Sequence, residues 1–353
     1  MCPKAGDSLQ AYAHMAKLSL PAVASTYCNL FALWIGLGSL IALCFPETVR
    51  KSCGATMITA LMGLLSFLVG MTANPQEFRT CLVRPKPVVI NSVMCYSAAP
   101  AVALLLAWML GLSRDLIIGM VLLGSVPGGS TSNLCALIAG VDVPLSVVLT
   151  STSTLMAAVG TPVAAKLSLG AVVPVNGRGI LISAVRILLI PVFLGVCSNS
   201  LFPRSCKAAK PIVPALGVTC GVVVIARIVA GCAELILDAG LAMHCAVVLL
   251  HAVTGAIGYV ASAASGADEK ERRTVALEGA MKNCALATVL ANAHFNAAAV
   301  QVPAAASCIW CPMMASIVCV VWRMFPTAAL LPGPSGKVSN EKIAWVAEYT
   351  SRP

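Results

Sequence analysis

Gly124-Ser-Val-Pro-Gly-Gly-Ser-Thr-Ser-Asn133 interrupts an uncharged apolar run at 116–139, a run long enough to cross a bilayer. A proline in a helix interior costs about 3 kcal/mol and each glycine about 1, so Pro127, Gly128 and Gly129 predict a break in the helix. Irregular backbone at membrane depth is tolerated only where protein buries it or where it lines a watery cavity. Interrupted helices of this type build the substrate and ion sites of many secondary transporters.

The composition around this stretch is that of a polytopic membrane protein. Of 353 residues, 59% are hydrophobic and 10% charged, with a mean hydropathy of +0.92, against roughly 25% charged residues in soluble domains. Apolar runs at about 27–45, 55–73, 88–111, 116–139, 143–165, 179–198, 211–231, 239–263, 274–296 and 300–322 predict ten spans of about 20 residues. The reading is an all-α polytopic membrane fold over 27–323, with an N-terminal segment at 1–26 and a C-terminal tail at 324–353. Within the tail, 341–349 suits a short surface helix. The first residues, with Lys4, Asp7 and Lys17, show no clear cleavable signal.

The net charge of +10 sits in short loops, which argues for topogenesis rather than nucleic-acid binding. With ten spans, Lys4, Lys17, Arg79, Arg84, Lys86, Arg204, Lys207, Lys210, Lys270, Arg272, Arg273, Arg323, Lys337, Lys342 and Arg352 fall on the side of the termini. Only Arg50, Lys51, Arg114, Lys166 and Arg178 fall opposite. That bias predicts both termini on the cytoplasmic side, or the stromal side in an organelle. Most of the 16 cysteines lie inside apolar runs, where they pack as small hydrophobes. Cys308-Ile-Trp-Cys311 has the CxxC spacing, but its apolar setting is unlike that of a reactive thiol pair.

Five spans per half would make the halves face opposite ways. The fourth span of the first half is interrupted at Pro127-Gly128-Gly129, and the fourth of the second carries Glu278-Gly-Ala-Met-Lys-Asn283. Irregular segments at matching positions predict an inverted 5+5 repeat whose two broken helices cross near mid-membrane.

Glu278 is the strongest single polar signal, because a carboxylate inside an apolar span marks an ion pathway by default. Lys282, four residues on, offers the simpler reading of a helical ion pair. On the span at 143–165, Ser146, Thr150 and Ser153 or Thr154 form one stripe. Hydroxyl and amide oxygens are hard donors, so Ser132, Asn133, Ser146 and Thr150 with Glu278 suit an oxygen cage for Na⁺. Serine and threonine in membrane helices also bond simply to backbone or neighbours. Half-helix N-termini at Ser130–Thr131 and near Asn283 present free N–H groups to a substrate carboxylate.

Together, Pro127-Gly-Gly-Ser-Thr-Ser-Asn133, Leu145-Ser-x-x-Leu-Thr-Ser-Thr-Ser-Thr154, Glu278-x-x-Met-x-Asn283 and Ala293-His-Phe295 resemble the bile acid:sodium symporter family, which includes plastid carriers of small organic acids. The resemblance runs from about residue 30 to residue 323. It implies a panel domain (about 27–73 and 179–231) and a core domain (about 88–165 and 239–322) that holds the crossing helices. It also implies Ser132, Asn133, Ser146, Thr150 and Glu278 as ligands of one Na⁺. In the family a second sodium site uses two glutamine amides; Cys95 and Lys282 stand at those positions here. The expectation is that the Lys282 ammonium replaces the second sodium; alternatively, Lys282 contacts the substrate carboxylate, alongside Ser130, Thr131 and Asn283.

The remaining polar residues carry weaker signals. His294 ends an apolar span. Arg227 suits snorkelling, and Arg186, deeper in its span, suits a place in the anion path. His244 and His251 share one helix face without the carboxylate or cysteine partners of a metal site, so no metal beyond Na⁺ and no cofactor is expected. The reading that follows is a secondary transporter of a small organic anion, coupled to Na⁺ through one retained site, with proton-coupled or uncoupled transport as the alternative. The membrane is that of a plastid envelope or the plasma membrane. A hydrolase would need a nucleophile and base in mutual reach, and neither HExxH nor GxSxG occurs. A non-transporting sensor would show itself by ligand binding without flux.

Overall fold

The computed structural model describes residues 27–325 apart from 29, 73–84, 130, 171–176 and 210–211. The terminal segments beyond those limits, the helix expected at 341–349 and Ser130 lie outside the described residues. In chain order the helices are α1 (Phe31–Cys44), α2 (Pro46–Ser52), α3 (Ala55–Thr72), α4 (Pro85–Met109), α5 (Arg114–Gly124), α6 (Thr131–Ala139), α7 (Val143–Leu169) and α8 (Gly177–Leu201). They continue with α9 (Pro203–Ala209), α10 (Val213–Gly231), α11 (Ala233–Asp238), α12 (Gly240–Ala264), α13 (Glu269–Ala280), α14 (Cys284–His294) and α15 (Ala298–Met324).

Six of these among the described residues are long and apolar enough to cross a membrane: α4, α7, α8, α10, α12 and α15. A seventh arises only if α1 and α2, bent by 107°, count together. The fold is all-α and polytopic, but the ten spans read from the sequence are corrected to six or seven. Hydropathy records apolar length without recording where the backbone stops being a helix. The run at 116–139 is divided into α5 and α6, and that at 274–296 into α13 and α14, each piece too short to span alone. The run at 27–45 turns sharply at Phe45, ahead of Pro46, and the apolar part of α3 covers only Met57–Met71. The inverted 5+5 repeat with panel and core domains rested on ten spans and falls with that count.

The exterior is apolar and much of the polarity is inside. Leu167, Leu241, Phe193, Val260 and Ile317 point outward, while Glu278, Lys282, His251 and a set of serines and threonines are buried. A large exposed apolar surface marks a membrane face. Prolines shape the helices that carry the site. The π-helical turns at Met94–Ala98 in α4 and Val185–Leu189 in α8 lie just before Pro100 and Pro191. A proline ring clashes with the carbonyl four residues back, and a widened turn relieves that clash. Where α3 packs on α8, a side chain at Gly70 would run into the Val192 carbonyl and one at Gly195 into that of Phe67, so glycine permits backbone-to-backbone contact.

The N-terminal end of α13 is anchored firmly, which fixes the position of Glu278 further along. Asp268 caps it by accepting from the Glu271 N–H at 2.8 Å. Tyr259 of α12 donates to Glu269 at 2.7 Å, and Arg273 reaches Glu269 at 2.7 Å while covering the Trp322 ring of α15. Partial desolvation pushes the Glu269 carboxyl up, but the bonds from Tyr259 and Arg273 outweigh it and hold the group below its ordinary value.

Candidate functional site

The two interruptions meet. The Gly129 N–H donates to the Met281 carbonyl at 3.0 Å and the Asn283 N–H to the Pro127 carbonyl at 2.9 Å, an antiparallel bridge centred on Gly128 and Lys282. Each helix end leaves orphan backbone groups, and an unpaired one costs several kcal/mol where water is absent. The bridge lets each break satisfy part of the other. Asn283 then starts α14 by accepting from the Leu286 N–H at 3.1 Å, an N-cap that uses the residue read as a substrate contact.

Gly128 is required by proximity. A Cβ placed on it would lie 2.8 Å from Glu278 Oε2. Gly128→Ala is expected to displace the carboxylate or part the bridge, lowering stability by about 1–3 kcal/mol. A thermal melt in detergent reads this; a melt identical to that of the unmodified chain would contradict the constraint.

Ser132 of α6, Ser146 and Thr150 of α7, and Glu278 of α13 are almost completely buried and converge on one point. Glu278 Oε1 accepts from Ser132 at 2.5 Å, Ser146 at 2.6 Å and Thr150 at 3.0 Å, and Oε2 lies 3.0 Å from Thr150. Asn133 Oδ1 lies 2.9 Å from Ser146 and 3.2 Å from Thr150. The five side chains singled out as an oxygen cage therefore stand together. Asp142 caps α7, and Ser146 and Thr150 face the same way because they are one turn apart. The three hydroxyl hydrogens are shared among Glu278 Oε1 and Oε2, Asn133 Oδ1 and the Ser146 carbonyl, 3.0 Å from Thr150 Oγ1 and itself inside α7. Hydroxyl hydrogens can satisfy the bonding of these oxygens but not the charge of the carboxylate, and among the described residues no ion pair within 4 Å includes Glu278. Tyr96, from the π-turn of α4, donates to the Ser153 carbonyl at 2.5 Å and ties α4 to α7 one turn below the cluster. No spacing in the sequence linked Tyr96 to this stripe.

Lys282 is only 3% exposed, and its Nζ lies 3.6 Å from Cys95 Sγ. Cys95 and Lys282 are thus neighbours. Cys95 is buried, 3.9 Å from Asn91 Oδ1, and Asn91 donates to the Leu149 carbonyl at 3.3 Å. The simple helical pair is absent: no ion pair within 4 Å joins Glu278 to Lys282, unlike Glu269 and Arg273 at the same spacing. Spacing i,i+4 juxtaposes side chains only on a continuous helix, and α13 ends at Ala280.

Thr131 is half-buried at the first turn of α6. His294 Nε2 lies 2.9 Å from Ser183 Oγ, linking α14 to α8. Arg186 is exposed, so its depth in the apolar run does not bring it inside. Arg227 does not snorkel freely; its Nε donates to the Cys53 carbonyl at 2.6 Å. With Arg50, whose Nε donates to the Ala230 carbonyl at 2.8 Å, it lines a cavity of about 380 Å³ bordered also by Thr288, Asn292 and Gln301. Arg50 and Arg227 lie far apart in the chain, and no motif pairs them. His244 lies 3.0 Å from the Ile236 carbonyl and accepts from Trp310 at 3.1 Å. The expectation that His251 lacks cysteine partners is corrected: Cys284 and Cys311, from α14 and α15, lie beside it.

Comparison with known proteins places the chain in a family. Residues 59–239 match the model of the Sodium Bile acid symporter family. Over 312 residues the chain is 32% identical to the probable sodium/metabolite cotransporter BASS2, chloroplastic, of Oryza sativa subsp. japonica, covering 86% of this chain and 74% of that protein. It is 30% identical over 295 residues to the corresponding BASS1 protein of Arabidopsis thaliana (83% and 73% covered). It is 28% identical over 292 residues to the uncharacterized sodium-dependent transporter YocS of Bacillus subtilis (83% and 90% covered). This chain belongs to the sodium bile acid symporter family and is a multi-pass membrane transporter rather than an enzyme.

Proposed function

We propose that the protein moves a small organic anion by alternating access, driven by one Na⁺ held by Ser132, Asn133, Ser146, Thr150 and Glu278. The observation that carries this reading is a buried carboxylate gathered with three hydroxyls and an amide oxygen, with no ion-pair partner within 4 Å among the described residues. Hard oxygen donors with one negative charge suit a small monovalent cation, and a charge buried at this depth needs a partner. The names of the relatives, sodium/metabolite cotransporters and a sodium-dependent transporter, lean the same way, and their plastid and bacterial sources favour a plastid envelope or a plasma membrane. The Lys282 ammonium supplies a fixed positive charge beside Cys95, in place of a second sodium.

In proteoliposomes, substrate uptake against Na⁺ concentration is expected to follow a Hill coefficient of about one, since one ion per cycle gives no cooperativity between ions. A coefficient clearly above one would overturn the single-ion reading. Uptake driven equally well by a pH gradient without Na⁺ would favour the proton-coupled alternative.

The anion has two supports: the N-terminal ends of α6 and α14, where Thr131 and Asn283 lie, and the cavity lined by Arg50 and Arg227. Charge-assisted hydrogen bonds contribute about 1.5–3 kcal/mol. Arg227→Ala is therefore expected to raise the KM for organic anions about 10- to 100-fold, measured by initial uptake rates on protein that still elutes as a single species. An unchanged KM would place the anion elsewhere.

A further inference from the structure

His251, Cys284 and Cys311 form a buried group whose ligand atoms all lie within 4.8 Å of one another. They arrive from three elements: α12, the first residue of α14, and the middle of α15. No motif joins them, since each sits in an apolar run. Two observations set the group apart from thiols that merely pack. The imidazole is 1% exposed, with Nδ1 at 2.5 Å from the Ala280 carbonyl and Nε2 at 2.6 Å from Ser307 Oγ. A carbonyl only accepts, so Nδ1 carries the hydrogen and Nε2 is left with its lone pair. That is the arrangement of a metal-binding histidine, its second nitrogen held by a backbone carbonyl. Further, Cys284 Sγ lies 3.0 Å from Ser307 Oγ, the same hydroxyl that meets His251 Nε2, so thiol and imidazole share one neighbour.

We infer that His251, Cys284 and Cys311 bind a single thiophilic d¹⁰ cation, Zn²⁺ or Cu⁺. Thiolate and imidazole donors select these metals over Na⁺, Mg²⁺ or Ca²⁺. Tetrahedral zinc bonds of about 2.3 Å to sulfur and 2.0 Å to nitrogen place ligand atoms roughly 3.5–3.8 Å apart, so side-chain adjustments of under about 1 Å close the site. Binding Zn²⁺ releases one hydrogen ion from each of two thiols, and two thiolates with a neutral imidazole leave no net charge to bury. Ser307 gives up its bond to Nε2 and keeps Cys284 Sγ, 3.0 Å away. Cys284 directly follows Lys282 and Asn283 of the bridge, and its Sγ lies 3.2 Å from the Lys282 carbonyl. The ion would pin that half of the bridge to α12 and α15.

The test is elemental analysis of the purified full chain, loaded separately with Zn²⁺ and with Cu⁺ under reducing conditions and then desalted. About one equivalent of either ion is expected per chain. Cys311→Ala and Cys284→Ala should each lower it to below about one tenth, while Cys319→Ala, a buried cysteine outside the group, should leave it intact. If Cys284→Ala fails to fold, Co²⁺ loading of the unmodified chain carries the test: a sulfur-to-cobalt charge-transfer band in the near ultraviolet supports the site. Absence of both ions and of that band, retention of metal in folded Cys311→Ala, or a disulfide from Cys284 to Cys308 or Cys311 in the intact protein would each overturn it.

Discussion

Glu278→Gln is expected to reduce Na⁺-driven uptake at least about 100-fold while leaving the chain folded. The amide keeps the size of the side chain but removes the negative charge from the point where Ser132, Ser146 and Thr150 converge. It also replaces an acceptor with a donor that faces three hydroxyls able to turn their lone pairs toward it. The hydrogen bonds can thus be rebuilt, but the compensation for a cation cannot. Loss of one charge-assisted contact alone amounts to about 1.5–3 kcal/mol, and each 1.4 kcal/mol is a factor of ten in affinity. Two measurements check the result together: initial uptake in proteoliposomes, and the Na⁺-dependent rise in melting temperature, which should vanish in the variant. Retained Na⁺ stabilisation in Glu278→Gln would remove the carboxylate from the cation site. Glu278→Asp, one methylene shorter, should retain the charge at a poorer distance and recover part of the activity.

The second large effect concerns Lys282 and Cys95. Their side chains lie 3.6 Å apart, so the double variant Lys282→Gln with Cys95→Gln removes a tethered cation and supplies two amide oxygens in the same small volume. Na⁺ uptake curves should then change shape, with the Hill coefficient rising from about one toward two as a mobile ion takes the place of the fixed ammonium. Lys282→Ala alone should instead lose most transport, because it removes the charge without offering a ligand. These outcomes also separate the two roles considered for Lys282. If the ammonium holds the substrate carboxylate, the double variant raises the KM for the anion and leaves the Na⁺ dependence unchanged.

Much of the candidate site was legible because the signals are local. Ser146 and Thr150 lie one turn apart on a single helix, and a carboxylate in an apolar run stands out without knowledge of its neighbours. Asn283 shows the limit of such reading: its side chain caps α14, a role that an amide at a helix start serves as readily as ligand binding. Arg186 shows another, since position along an apolar run does not fix which face a side chain takes. Helical spacing alone pairs Lys282 with Glu278, and the end of α13 at Ala280 cancels that pairing.

The chain's own residues determine that this is an all-helical membrane protein and that its backbone is interrupted near Pro127 and near Met281, since burial in lipid and helix propensity both act over a few neighbouring residues. Tertiary structure alone decides how many apolar runs persist as helices of membrane length, six or seven among the described residues rather than ten. It also decides that the breaks pair through Gly128 and Lys282, that Arg50 and Arg227 share a cavity, and that His251 meets two cysteines. Each of these joins residues distant in the chain. Their proximity follows from packing and from the need to satisfy buried backbone groups, and neither leaves a periodic trace in the order of the amino acids.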